Sequence, residues 1–160
     1  MRYLISAVFV LMIFISCKKN KYTTVPQITF KSITPSFHSS SILPPDQGPK
    51  LTIEVTDAEG DLGFSDNKDT SYIYVKNITV PPYKSDSFKF PASLSAATHK
   101  NFKAAVDVAL EGDATHGGVL DRTCASGCTD TLYFEVYLKD FAKNKSNLIR
   151  TDKPLLFISP

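Results

Sequence analysis

Thr131-Leu132-Tyr133-Phe134-Glu135-Val136-Tyr137-Leu138-Lys139 alternates along its whole length: Leu132, Phe134, Val136 and Leu138 fall on one side, and Tyr133, Glu135, Tyr137 and Lys139 on the other. Successive side chains of a strand point to opposite faces, so this stretch reads as a strand with one face in a core and one in water. Working outward, Leu51, Ile53 and Val55 alternate with Thr52, Glu54 and Thr56 in the same way. Phe102, Ala104, Val106, Val108 and Leu110 alternate with Lys103, Ala105, Asp107 and Ala109, although the alanines also suit a short helix. Further strands are expected at Gln27 to Ile33, Ser71 to Ile78, Ser87 to Phe90, Leu148 to Thr151 and Leu155 to Ile158. Pro44-Pro45, Gly48-Pro49, Pro81-Pro82 and Gly117-Gly118 punctuate them. With no long helical pattern between strands, parallel βαβ units are excluded. The expected fold is all-β, a single immunoglobulin-like antiparallel β-sandwich of about seven or eight strands.

The chain has 160 residues, 42% hydrophobic and 21% charged, the composition of an ordinary folded protein. Its net charge of +2 comes from 18 Lys and Arg against 16 Asp and Glu, with no basic run beyond Lys18-Lys19. No phosphate-tracking surface is built from such a balance, so nucleic acid is excluded as the main partner.

The start of the chain has a basic residue, Arg2, an apolar run from Leu4 to Ile15, and Ser16 before Cys17. That run is shorter than the roughly 20 residues that a helix needs to cross a bilayer, so a cleaved export signal is expected rather than a span. Phe14-Ile15-Ser16-Cys17 resembles the lipobox of bacterial lipoproteins, with Phe14 where leucine is usual. The resemblance implies a signal peptide over 1–16, lipidation of Cys17 and a durable membrane anchor, since several acyl chains bind where one is marginal. Cys17-Lys18-Lys19 and the Thr-rich spacer are similar to lipoproteins of the Bacteroidetes type. Lysines in place of aspartate then imply the outer membrane. The expected organisation is signal peptide 1–16, lipidated cysteine and tether 17–26, and sandwich domain 27–160. An ordinary signal peptide with a chance cysteine, or an uncleaved anchor, would export the chain equally.

Two further stretches carry a family resemblance. Val55-Thr-Asp57-Ala-Glu59-Gly60-Asp61-Leu62-Gly63 resembles a strand-ending motif of immunoglobulin-like domains in bacterial surface lipoproteins. Asp140-Phe-Ala-Lys-Asn144-Lys-Ser146-Asn147 is similar to the turn before the last strand of such domains, with Lys143 in place of the usual glycine. Both support a fold more than a function.

Asp57, Glu59 and Asp61 occupy every second position and are followed by Asp66 and Asp69. Calcium takes six to eight oxygens, and an acidic turn-rich loop supplies several without strain. The EF-hand pattern fails, because Gly60 is fourth from Asp57 and the twelfth position is Lys68. A calcium site therefore needs Asp140 and Asn144 from the other strand end. The alternative is that Asp57 and Asp61 bond their own backbone while the rest face water. Both readings stand at this point.

Cys124 and Cys128 enclose Ala125-Ser126-Gly127, and in an exported chain they are expected to form a disulfide. So small a loop gives roughly 2 kcal/mol, enough to pin a turn. A closed zinc site would need two more ligands, and only His38, His99 and His116 offer imidazoles.

Catalysis has little support: no Gly-x-Ser-x-Gly turn accompanies His116-Gly117-Gly118, and no enzyme is expected. Tyr72 and Tyr74 lie opposite Ile73 and Val75, and Tyr133 and Tyr137 lie opposite the Leu132 to Leu138 face. Such rings stack on sugars or anchor a protein partner. The lack of tryptophan counts against glycan capture. The expected function is a membrane-anchored envelope lipoprotein serving as a structural or interaction module. The alternative is ligand capture, of a glycan or a protein, through those four tyrosines.

Overall fold

The alternating segments become strands in the computed structural model of the chain, which describes residues 21–39, 48–63, 70–91, 94, 100–111, 118–121 and 127–159. The strands are β1 (Gln27–Thr34), β2 (Phe37–Ser39), β3 (Lys50–Asp57), β4 (Tyr72–Asn77) and β5 (Ser85–Lys89). They continue with β6 (Phe102–Ala109), β7 (Cys128–Leu132), β8 (Phe134–Lys139), β9 (Ile149–Arg150) and β10 (Leu155–Ser159). The signal segment 1–16, Cys17, Asp66, Asp69, His99, His116 and Cys124 lie outside the described residues, and the Cys124–Cys128 pairing lies there with them.

One sheet has the order β1-β3-β6, a second β5-β4-β8-β9, and a third, smaller one β2-β10-β7. The first two are the facing layers of an immunoglobulin-like β-sandwich. The segment 102–110, which its alanines left open to a helix, is strand. It pairs with β3 from Lys50↔Ala109 to Asp57↔Phe102, and that ladder buries Phe102, Val106 and Val108.

Two expectations are corrected. The sandwich is not wholly antiparallel, because β2 runs parallel to β10, with Leu156 opposite Phe37. Only Pro35 and Ser36 separate β1 from β2, so the chain changes sheet without reversing; the missing N–H of proline interrupts the first ladder. The stretch 131–139 is not one strand either. It breaks at Tyr133, whose N–H donates to Thr79 Oγ1 (2.8 Å) and whose carbonyl accepts from the Ile78 N–H (3.0 Å). Its backbone is thereby drawn to the segment after β4. On the other side, Asp152, Lys153 and Pro154 interrupt the partner between β9 and β10. Thr151 spans the gap by donating its N–H to the Phe134 carbonyl (3.0 Å) and accepting the Phe134 N–H on Oγ1 (3.1 Å).

The core lies between the layers. Ile28, Leu51, Ile53, Val55, Val106 and Val108 meet Ile73, Val75, Phe134, Val136 and Leu138, and Leu132, Leu155 and Phe157 extend the cluster into the third sheet. Each such side chain contributes roughly 1.5–3 kcal/mol when fully buried.

The layers are also joined along one edge. β1 is an edge strand, and the amide of Asn147, just before β9, accepts the Ile28 N–H on Oδ1 (2.8 Å) and donates Nδ2–H to the Ile28 carbonyl (2.9 Å). A side chain thus takes the place of a missing strand neighbour, using both unpaired backbone groups of the edge. Ahead of β1, the Thr23 carbonyl accepts the Ala58 N–H (2.9 Å), and the Lys21 N–H donates to Asn101 Oδ1 (2.7 Å). The incoming chain is therefore held at the end of the sandwich where β3 finishes.

Asn147→Ala removes both bonds to β1 and leaves two part-buried backbone groups without partners. Urea denaturation is expected to show a loss of about 1–3 kcal/mol as a lower midpoint with an unchanged slope.

Candidate functional site

β3 ends in Asp57 and β8 ends one residue before Asp140, and the packing of the two layers brings these strand ends to one pole. The Phe141 N–H donates to the Asp61 carbonyl (3.1 Å), tying the loop after β3 to the turn after β8. The carboxylates of Asp57, Asp61 and Asp140 offer oxygens that all lie within 4.8 Å of one another. Asp57 and Asp140 are 0% exposed, and Asp61 is half-buried.

Asp57 Oδ1 accepts the N–H groups of Glu59 (2.8 Å) and Gly60 (3.3 Å), a side-chain turn that Gly60 completes at φ 68°. Asp140 is engaged at both oxygens: Oδ1 accepts the Asn144 N–H (2.7 Å) and Oδ2 accepts its Nδ2–H (2.8 Å). Lys143 has φ 68°, so the turn keeps the left-handed backbone that glycine favours even with lysine in place. Of the three other oxygens, Asp57 Oδ2 and Asp61 Oδ1 are buried and have no hydrogen-bond partner.

Of the five residues expected to hold calcium, three meet here. Glu59 is exposed and contributes its backbone N–H, while Asn144 bonds Asp140. Burial pushes the Asp57 carboxyl up to about 6, opposed by the N–H groups of Glu59 and Gly60 and helped by the charge of Asp61 and, when protonated, a carboxyl–carboxyl hydrogen bond with it. Burial likewise raises Asp140, with Asp61 adding to the rise and Asn144 and Lys143 opposing it. Oxygen-only donors of this kind suit a hard cation, not zinc or copper.

The second arrangement lies on the outer face of β4 and β8. Tyr74 and Tyr137 are direct cross-strand partners, and their rings stack with centroids 4.6 Å apart and planes 8° from parallel. Tyr72 leans on Tyr74 at 6.4 Å. The Lys145 ammonium stands 4.1 Å from the Tyr137 ring centre, and that of Lys139 stands 5.5 Å from that of Tyr74. Beside the stack runs a groove of about 420 Å³, lined among others by Lys76, Asp86, Glu135 and Leu148. Burial, then the neighbouring Tyr74, raises the Tyr137 hydroxyl above its ordinary value. Tyr133 stands apart from this group, beside Ile78, Thr79, Arg150 and Thr151.

Sequence reasoning missed one pair. His38, buried in β2, has Nε2 3.3 Å from Glu111 Oε1 and its ring 5.6 Å from that of Phe157. A Cβ at Gly48 would run into Glu111 Oε2, so glycine makes room for this contact. No spacing signal joins positions so far apart in sequence.

Comparison of the chain with protein-family models, with curated proteins and with solved structures found no match.

A raised carboxyl stabilises the fold fully below its unfolded value, and that contribution is lost as pH rises through the folded value. For Asp57 the window runs from 3.8 to about 6. In chelator, Asp57→Asn, which retains an acceptor for the turn, is therefore expected to gain melting temperature relative to the parent as pH rises from about 4 to 7. Differential scanning fluorimetry across that range measures the difference.

Proposed function

We propose that this domain is a lipid-anchored interaction module of the bacterial cell envelope, held at the outer membrane through Cys17 and engaging an acidic protein surface with the Tyr72, Tyr74 and Tyr137 face. The observation that carries the reading is the stacked Tyr74–Tyr137 pair flanked by Lys139 and Lys145 beside an open groove. Tyrosine is enriched among residues that dominate interface energies, because it presents a large rigid area with a polar tip. Lys76, Lys139 and Lys145 stand here with Asp86 and Glu135, and Glu135 is paired with Arg150 (2.9 Å), so the face keeps a small excess of positive charge that favours an acidic partner.

Glycan capture is the weaker reading on the same face. Tyr137 has Tyr74 against one side and the Lys145 ammonium over its ring, which leaves little open ring face for a sugar. The membrane anchor rests on the lipobox resemblance at Phe14 to Cys17, and a non-catalytic role rests on the lack of a nucleophile motif in the sequence.

Cys17→Ser is expected to move the protein from the membrane fraction to the soluble fraction, as read by fractionation of cells. A photoreactive residue at Leu148, 54% exposed at the groove, is expected to give one discrete protein adduct in native membranes. Lys145→Glu should weaken that adduct. The same probe at Ala105, exposed on β6 in the opposite sheet, serves as the control. Equal adducts from both positions, or none from Leu148, would overturn the docking face.

A further inference from the structure

We infer that Asp57, Asp61 and Asp140 bind a calcium ion, which cross-links the loop after β3 to the turn after β8. This inference is independent of the tyrosine face and survives if that face binds nothing.

The carboxylates lack donors at two of their oxygens. The donors seen at this pole go elsewhere: the N–H groups of Glu59 and Gly60 go to Asp57 Oδ1, and the N–H and Nδ2 of Asn144 each go to Asp140. Asp57 Oδ2 and Asp61 Oδ1 are left buried with nothing donating to them. Asp57 is itself 0% exposed, so water does not reach it as it reaches a surface carboxylate. A protonated carboxyl can bond its neighbour, but ionised carboxylates only accept hydrogen bonds, so above the raised value of Asp57 they leave one another unsatisfied. Among the described residues, no lysine or arginine forms an ion pair with any of the three. Three acidic oxygens within 4.8 Å thus converge on a point that calls for positive charge.

The donor set selects the ion. With oxygen ligands alone, thiophilic and imidazole-seeking metals have no advantage. Magnesium demands a near-ideal octahedron, whereas calcium accepts irregular sets of six to eight oxygens and completes them with water. These carboxylates come from two loops whose shape is fixed by their own side-chain turns, a donor set with no built-in octahedral symmetry. An affinity of roughly 10⁻⁴–10⁻³ M, as in extracellular calcium modules, is expected.

The test uses the full-length chain in detergent, melted in EDTA, in calcium chloride and in magnesium chloride, with calcium uptake followed by equilibrium dialysis. Saturating calcium is expected to raise the parent melting temperature by roughly 5–15 °C, as a ligand that binds only the folded state must. Asp61→Asn keeps the size of a half-buried residue and removes one negative charge. It is expected to lose most of the calcium shift while melting at or above the parent in EDTA, because one like-charge repulsion is gone. Asp57→Asn provides a second variant with the same expectation. The inference is overturned by a folded parent that shows neither a shift nor uptake, or by a calcium shift kept in both variants. An equal magnesium shift would overturn the assignment to calcium.

Discussion

Phe134, Val136 and Leu138 can leave water only against Ile28, Leu51, Ile53 and Val55 of the opposite sheet, and that requirement sets the rest of the molecule. A slip of one residue in either layer would turn its apolar set outward, so burial fixes the register of β3 and β8. With register fixed, the ends of the two strands arrive at the same pole, and Asp57 and Asp140 come with them. The same register turns Tyr74 and Tyr137 outward as cross-strand neighbours. Both chemically distinctive places therefore follow from the core, one from where the strands stop and the other from the face they leave in water.

The sequence carried the strands well because their signal is local. Alternation over Leu51 to Val55 or Phe134 to Leu138 is visible within a few residues, and β3 and β8 fall where it places them. β2 is three residues long, too short for any period to register. The break at Tyr133 was hidden for a different reason: its side chain fits the alternation, but its backbone answers to Ile78 and Thr79, more than fifty positions away. β5 starts two residues before the expected Ser87, because Ser85 and Asp86, polar residues with no apolar alternation, also pair with β4.

The acidic pole was legible in outline, since each half follows a recognisable strand. The division of labour within it was not. Sequence spacing put Glu59 and Asn144 on a par with the aspartates, whereas one offers a backbone N–H and the other bonds Asp140. The four tyrosines looked equivalent in the same way, and only the path of the backbone separates Tyr133 from the other three. Asn147 gave no hint of its role, because a side chain standing in for a strand depends on the edge it happens to meet.

The hydrogen bond between the Thr23 carbonyl and the Ala58 N–H, with Lys21 held by Asn101, also fixes the compass of the domain. If Cys17 is acylated, the leash from the lipid to Lys21 reaches at most about 15 Å even when fully stretched. The carboxylate pole would then be the underside, near the headgroups, and the opposite end of the sandwich would point away from the bilayer. Lys18, Lys19 and Lys21 lie along the leash on that same side, so the underside would meet anionic headgroups with lysines around its buried carboxylates. So short a leash would limit the tilt of the domain, and with it the directions in which the tyrosine flank can look.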